Sequence, residues 1–366
     1  MTDGRASPSL VSVVIPSFNG ARLLAEAVES VLAQTHPAVE TIVVDDGSTD
    51  DTPALVARWG DRIRYLRQAN RGVCAARNAG LAAARGVYVT FLDHDDRFTP
   101  EKLARQAAVL DAHPDAGVVY TGWRFIDAEG RPFPPVAWPR HEGDVLAELV
   151  IANFVFLGAV MVRRSLLAET GGFDEALRGA EDWELWLRLA RHGARWACVD
   201  APLFEYRLHD EQRHRRGAER RATNRIAVLR AVFADPHLPA AVRAREREAY
   251  HHAHLRAALD YWRAGERRAA GEEFHAAVLA RPEIVSDAKA LLEVCRLLAP
   301  PGRPHLGAMV EAWRPLTRAL RVLVGDLLRR PGLEPEIARR AWAARLAVLR
   351  VTARLARKRV QALVAG

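Results

Sequence analysis

Cysteine is scarce in this chain. Cys74, Cys198 and Cys295 are the 3 cysteines among 366 residues, an odd number at wide spacing that forms neither a disulfide framework nor a zinc-ligand pattern. A reducing compartment is the expectation, because disulfides persist in oxidising ones. Long apolar runs are also missing, since nowhere do the roughly 18 uncharged apolar residues of a membrane helix follow one another. The opening residues, MTDGRASPSL, show no basic stretch leading into an apolar one. These absences lead us to expect a cytoplasmic protein with neither a leader nor a span. In the basic stretch near 335–364 Trp342 is the lone aromatic residue among the arginines, so no nucleic-acid partner that stacks bases on rings is expected.

What is present fits a folded chain. Hydrophobic residues make up 49% and charged residues 27%, ordinary values for globular proteins. A length of 366 exceeds what one core fills, so two domains are expected. The formal charge of +8 permits an anionic partner, but the excess is uneven. Arginine is dense in RHRRGAERRATNR at 213–225 and in RRAWAARLAVLRVTARLARKR at 339–359, whereas the clustered aspartates lie in the first two hundred residues.

Residues 10 to 120 alternate short β-branched runs with helical apolar spacing, the pattern of a parallel sheet covered by helices. The strand candidates are Val11 to Ile15, Thr41 to Val44, Ile63 to Leu66 and Val87 to Leu92. Their following loops carry Ser17, Asn19, Asp45, Asp46, Asp93 and Asp95, and open α/β sheets bind ligands at the carboxyl ends of their strands. VVYTGWRFIDAEGRPF predicts an antiparallel hairpin turning at a Gly or Asp, followed by a proline-rich loop. Further strands are predicted at Ala159 to Val162 and Leu203 to Arg207, with a helix from about Glu181 to His192. After Asp210 the pattern is helical, and the boundary is placed at 212: a 1–212 catalytic domain, then a 213–366 helical domain.

FLDHDDRFTP, Phe91 to Pro100, sets Asp93, His94, Asp95 and Asp96 at a strand end. Clustered carboxylates repel one another unless a cation balances them, and hard oxygen donors suit Mg²⁺ or Mn²⁺. A solvated turn capping the helix near Pro100 is the bland alternative. An aspartyl phosphatase motif, DxDxT, is another, but Arg97 stands where its Thr belongs. Glu181 and Asp182 open a helical pattern, where acids are favoured by the dipole in any case.

Five segments in register narrow these alternatives. VSVVIPSFNG (11–20), VETIVVDDGSTDDT (39–52), NRGVCAARNAGLAAARGVYVTFLDHDD (70–96), GGFDEALRGAEDWELWLRLA (171–190) and YRLH (206–209) resemble family 2 glycosyltransferases of the GT-A fold. That resemblance implies a Rossmann-like mixed sheet flanked by helices, binding a nucleotide-diphosphate sugar. It further implies that Pro16, Phe18 and Asn19 line the nucleotide, that Asp46, or failing it Asp45, meets base or ribose, and that Arg77 faces the diphosphate or an acidic neighbour. Asp95, Asp93 and His209 would hold Mn²⁺ or Mg²⁺, Asp93 reaching either the metal or the ribose of the nucleotide sugar, with Asp96 in support and His94 without a role. Asp182 would be the general base of a single inverting displacement. Gly158 would open the backbone beside the acceptor or simply pack, and Trp183 and Trp186 would be core or acceptor wall. The resemblance implies transfer to a glycan or lipid-linked acceptor in polysaccharide or glycoconjugate synthesis. A non-catalytic nucleotide-sugar-binding member and an Asp-nucleophile phosphatase remain as alternatives.

No motif guides the reading beyond residue 212. HHAH at 251–254 lacks a nearby Cys or acidic partner in sequence and reads as surface. A basic helix near 335–364 is either packed or a peripheral contact on the cytoplasmic face of the membrane.

Overall fold

Aliphatic and β-branched side chains fill the first strand candidate. In a computed structural model, described over residues 7–177, 179–208 and 217–281 with single positions at 329, 332, 335, 338 and 339, every residue of β1 (Val11–Ser17) is buried. Burial on both faces suits a central parallel strand. β1 pairs in parallel with β2 (Val39–Asp45) and with β4 (Tyr88–Phe91), and β2 pairs in parallel with β3 (Arg64–Arg67). α1 (Ala21–Leu32) buries its stripe Leu23, Leu24, Ala27, Val28 and Val31. The short α2 (Thr52–Val56) and then α3 (Val73–Ala83) complete the first crossovers.

The sheet continues through β7 (Val160–Arg163), β6 (Ala116–Ile126), β8 (Arg195–Arg207) and β5 (Arg97–Phe98), in the order β3-β2-β1-β4-β7-β6-β8-β5. β7 runs antiparallel to both neighbours, β6 and β8 are parallel, and β5 is antiparallel to β8. From β1 the chain moves to β2 on one side and reaches β4 on the other. That reversal of direction opens a crevice beyond the carboxyl ends of β1 and β4. α4 (Lys102–Ala112), α5 (Leu146–Leu149), α6 (Arg164–Thr170) and α7 (Glu181–Arg191) complete this part of the chain.

Of the turns that the hairpin pattern allows, the structure takes the one at the Asp. Gly122 does not turn the chain; it lies inside the continuous strand β6, at a shift in register against β8. A side chain there would meet the Trp138 ring at 2.3 Å, so the glycine admits an indole instead of reversing direction. The turn comes later, at Asp127 to Gly130, and its return leg reduces to a bridge between Ile126 and Pro132.

A buried amine lies on α4, against β4 and β5. Lys102 is wholly buried, donating to Gln106 Oε1 at 2.8 Å and Thr90 Oγ1 at 3.3 Å, with its amine over the Phe98 ring. Burial holds its pKa well below the ordinary range.

The chain divides into two compact units, Met1–Asp210 and Glu211–Gly366. The second is helical where described: α8 (Ala218–Phe233), α9 (Ala240–Arg243), α10 (Glu246–Ala264) and α11 (Arg267–Ala280). The surface reading of HHAH is corrected. His251 is fully buried and bonds the Ala277 carbonyl, and His254 meets Glu273 at 2.7 Å. The sequence conceals this acidic partner because it comes from the next helix. Among the described residues no helix is long and apolar enough to cross a membrane. His209 lies outside the described residues, as does most of the expected basic helix near 335–364.

Gly80 marks where α3 lies closest to the sheet, since an added Cβ would fall 2.3 Å from Val14 Cγ1 and 3.1 Å from Val44 Cγ2. Gly80→Ala should therefore destabilise the first unit by about 1–3 kcal/mol. Urea unfolding of the full chain checks this, and an unchanged midpoint would contradict the close packing.

Candidate active site

Main-chain direction brings the acids together. β4 ends at Phe91, and the chain turns through residues 93–96 before β5 begins. Carboxylate oxygens of Asp93, Asp95 and Asp96 all lie within 4.8 Å of one another. Burial, followed by repulsion from Asp95 and Asp93, raises the Asp96 pKa well above its ordinary value, against the Arg207 amide that donates to it at 2.8 Å. The donor set is wholly carboxylate oxygen, which fits Mg²⁺ or Mn²⁺ and not a soft metal.

Two buried arginines hold this charge in place. Arg77, on α3, donates from Nη2 to Asp93 at 2.7 Å and from Nη1 to Glu181 at 3.3 Å, with its guanidinium over the Phe173 ring. Burial alone would lower its pKa, but the Asp93 and Glu181 carboxylates outweigh it and raise the value. Of the two expectations for Arg77, the structure shows the acidic neighbours. Arg207, on β8, is fully buried; it donates to the Asp95 carbonyl at 2.8 Å, to the Ala128 carbonyl at 3.0 Å and to Glu26 at 2.6 Å. Its backbone and side chain thus fasten the acidic turn to β8. Sequence reasoning passed over Arg207, although it stands inside the quoted YRLH.

Across the crevice, α7 begins with Glu181 and Asp182. Asp182 accepts from Asn153 Nδ2 at 2.8 Å and from the Trp183 amide at 2.8 Å. Burial first and the Glu181 carboxylate second push its pKa up to about 6, against the Trp183 amide, Arg77 and Asn153. The Tyr206 phenol lies between the two acidic groups. Burial raises its pKa, and so do Asp96, Asp95, Asp93 and Asp182. Trp183 and Trp186 are core: Trp183 Nε1 bonds the Leu149 carbonyl, and Trp186 packs edge-on against Trp196. Gly158 also serves packing, since a side chain there would strike Phe204 at 2.3 Å.

The nucleotide-facing expectations divide. Phe18 is exposed at the mouth of β1. Asn19 takes a left-handed φ of 51° and accepts from the Thr49 amide at 2.8 Å, joining the β1 loop to the β2 loop. Pro16 is buried within β1 and lines the strand rather than the loop. Asp46 is tied into the fold. Its buried carboxylate accepts from Gln68 Nε2 at 2.8 Å, the Arg71 amide at 2.9 Å and the Gly72 amide at 2.8 Å, fastening the loop into α3. Asp45 is equally enclosed, taking the Tyr65 hydroxyl and the Ser48 amide. His94, given no role by the sequence, packs on the first loop: a Cβ on Gly20 would come within 2.6 Å of its ring. Arg97, at the Thr position of the phosphatase motif, is spent on Glu205, Glu26 and the Gly130 carbonyl.

Residues 12–171 match the family described as glycosyl transferase family 2. That match lies within the N-terminal unit. Over 208 residues the chain is 32% identical to an uncharacterised glycosyltransferase of Rickettsia typhi, covering 56% of this chain and 65% of that protein. Over 213 residues it is 36% identical to the succinoglycan biosynthesis protein ExoO of Rhizobium meliloti, covering 55% of this chain and 61% of that one. The match thus spans less than two thirds of each relative. Among solved structures, residues 1–349 of S. aureus TarS in complex with UDP-GlcNAc align at a TM-score of 0.55 and 18% identity, covering 95% of this chain and 92% of that one. The mannosyltransferase PcManGT from Pyrobaculum calidifontis, in complex with GDP-Man and Mn²⁺, aligns at 0.55 and 22%, covering 88% and 87%. These likenesses show the GT-A fold.

Arg77→Ala would leave Asp93 and Glu181 without their shared cation. Breaking a buried pair from one side costs about 3–5 kcal/mol, and exposure of Asp93 reduces that here to roughly 2–3 kcal/mol at pH 7. Chemical denaturation of the metal-free chain checks it, and a loss under about 1 kcal/mol would show that Arg77 does not hold the acids.

Proposed function

We propose that this chain is a metal-dependent, inverting glycosyltransferase that moves a sugar from a nucleotide-diphosphate sugar to an acceptor hydroxyl. The observation that carries this reading is the carboxylate trio Asp93, Asp95 and Asp96 at the end of β4 in a family 2 unit. Asp95 and Asp93 would hold Mn²⁺ or Mg²⁺, with His209 as the further ligand that the family resemblance implies; such a cation would offset the negative charge on the departing nucleoside diphosphate. Phe18 and Asn19 face the nucleotide, with Pro16 behind them. Asp46 acts through the Gln68 to Gly72 loop that it fastens. Arg77 keeps Asp93 fixed and ionised beside the diphosphate.

Asp182 is the base. Its carboxylate takes the acceptor hydroxyl proton as that oxygen bonds the anomeric carbon and the bond to the diphosphate oxygen breaks. One displacement inverts the configuration. The base needs a pKa near the working pH, and burial beside Glu181 supplies one of about 6. The solved neighbours, one in complex with UDP-GlcNAc and the other with GDP-Man and Mn²⁺, support a nucleotide-sugar donor and a divalent ion. The succinoglycan relative supports a glycan acceptor, free or lipid-linked, in polysaccharide synthesis. A cytoplasmic site with peripheral membrane contact through the basic C-terminal segment completes the proposal.

A panel of UDP-, GDP- and dTDP-sugars with Mn²⁺ or Mg²⁺ tests this by release of nucleoside diphosphate. Asp95→Ala should abolish the metal-dependent turnover, and Asp182→Ala should lower it about 10²- to 10⁴-fold. Full activity in both variants would overturn the assignment. A base must be ionised to act, so kcat/KM should be lost as pH falls through about 6 and regained above it. A profile flat from pH 5 to 8 would remove Asp182 from that role.

A further inference from the structure

Asn153 carries no sequence signal. It sits in an irregular loop after α5, where neither periodicity nor motif marks it. Its neighbours nevertheless anchor that loop on several sides. The Leu149 carbonyl is held by Trp183 Nε1 at 2.7 Å. Phe154 packs against Tyr120, His141 and Trp196, and Phe156 against Trp123, Phe125 and Tyr206. Val155 and Leu157 are buried. An exposed asparagine thus stands directly before a stretch, Phe154 to Leu157, whose side chains are packed.

The amide is also oriented. The Val155 N–H points at Asn153 Oδ1 at 3.5 Å, which leaves the NH₂ end facing Asp182 Oδ2 at 2.8 Å. The other carboxylate oxygen, Oδ1, takes the Trp183 amide. The charged and titratable groups around Asp182 are Glu181 on its own helix, Arg77 on α3 and Tyr206 on β8. Arg77 is already committed to Asp93 and Glu181. Asn153 is therefore the side chain that donates a hydrogen bond to this carboxylate.

We propose that Asn153 is a positioning residue for Asp182: its anchored amide fixes one carboxylate oxygen and stabilises the ionised form that accepts a proton. The inference rests on reading Asp182 as the base, but it can be tested apart from that reading. A donor to a carboxylate favours the charged form, so removing it raises the pKa.

The test is a pH titration of the metal-free full chain carrying ¹³C-labelled aspartate, with the Asp182 carboxyl signal assigned by its disappearance in Asp182→Asn. The Asp182 midpoint, about 6 in the native chain, should rise by about one pH unit in Asn153→Ala. It should rise further in Asn153→Asp, which keeps the shape and places a second carboxylate at the same oxygen. General loosening of the loop would admit water and lower the midpoint toward the ordinary aspartate value, so the sign separates positioning from a structural role. An unchanged or lowered midpoint in both variants overturns the proposal. Mn²⁺-dependent hydrolysis of UDP-GlcNAc and GDP-Man by Asp182→Asn tests the base separately: undiminished turnover there defeats the base reading and leaves the titration result standing.

Discussion

Negative charge gathered at the ends of β4 and α7 is the constraint on which the site depends. Asp93, Asp95, Asp96, Glu181 and Asp182 gather in one region, and burial, followed by repulsion from neighbouring carboxylates, raises the pKa values of Asp96 and Asp182. Arg77 answers it by spanning the two groups, with one amine on Asp93 and the other on Glu181. A guanidinium suits this task because its planar fork reaches two acceptors at once and stays charged when buried. Arg207 does the same behind the turn, with its main chain on Asp96 and its side chain on the Asp95 carbonyl and Glu26.

These ties also explain how loops distant in sequence stay in register. The turn between β4 and β5 is fastened to β8 by Arg207, to α3 by Arg77 and to the β1 exit by His94 packed on Gly20. Asp46 and Asn19 do the corresponding work at the exits of β2 and β1, holding the loops after β3 and β2. A site built this way is preorganised: a reacting group meets fixed dipoles and charges and does not have to order them. The same fixing gives Asp182 its chemistry, since burial beside another carboxylate brings an ordinary aspartate to a pKa near neutrality.

Much of the fold and of the acid positions was legible beforehand. The strands β1, β2 and β4 are continuous β-branched or apolar runs, and buried parallel strands read that way. The acids stand at strand and helix ends, where α/β sheets carry ligands. What the sequence concealed shares a cause. Gly122 looks like a turn until Trp138 is seen to occupy the space above it. Asp46 looks free until Gln68, Arg71 and Gly72 are found around it. HHAH looks exposed until α11 covers it.

The sequence by itself determined which residue types are present, their order along the chain and the periodicities that set strands and helices. Those are local properties, written in spacings of two to four residues. Only the tertiary structure decided which partner each charge meets: Arg77 with Glu181 across 104 positions, Arg207 with the Asp95 carbonyl across 112, Asn153 with Asp182 across 29. Such pairings leave no mark on local sequence, because hydrogen-bond geometry and desolvation depend on distance in space. The same aspartate is a capped turn, a structural clamp or a base according to which donors the fold places around it.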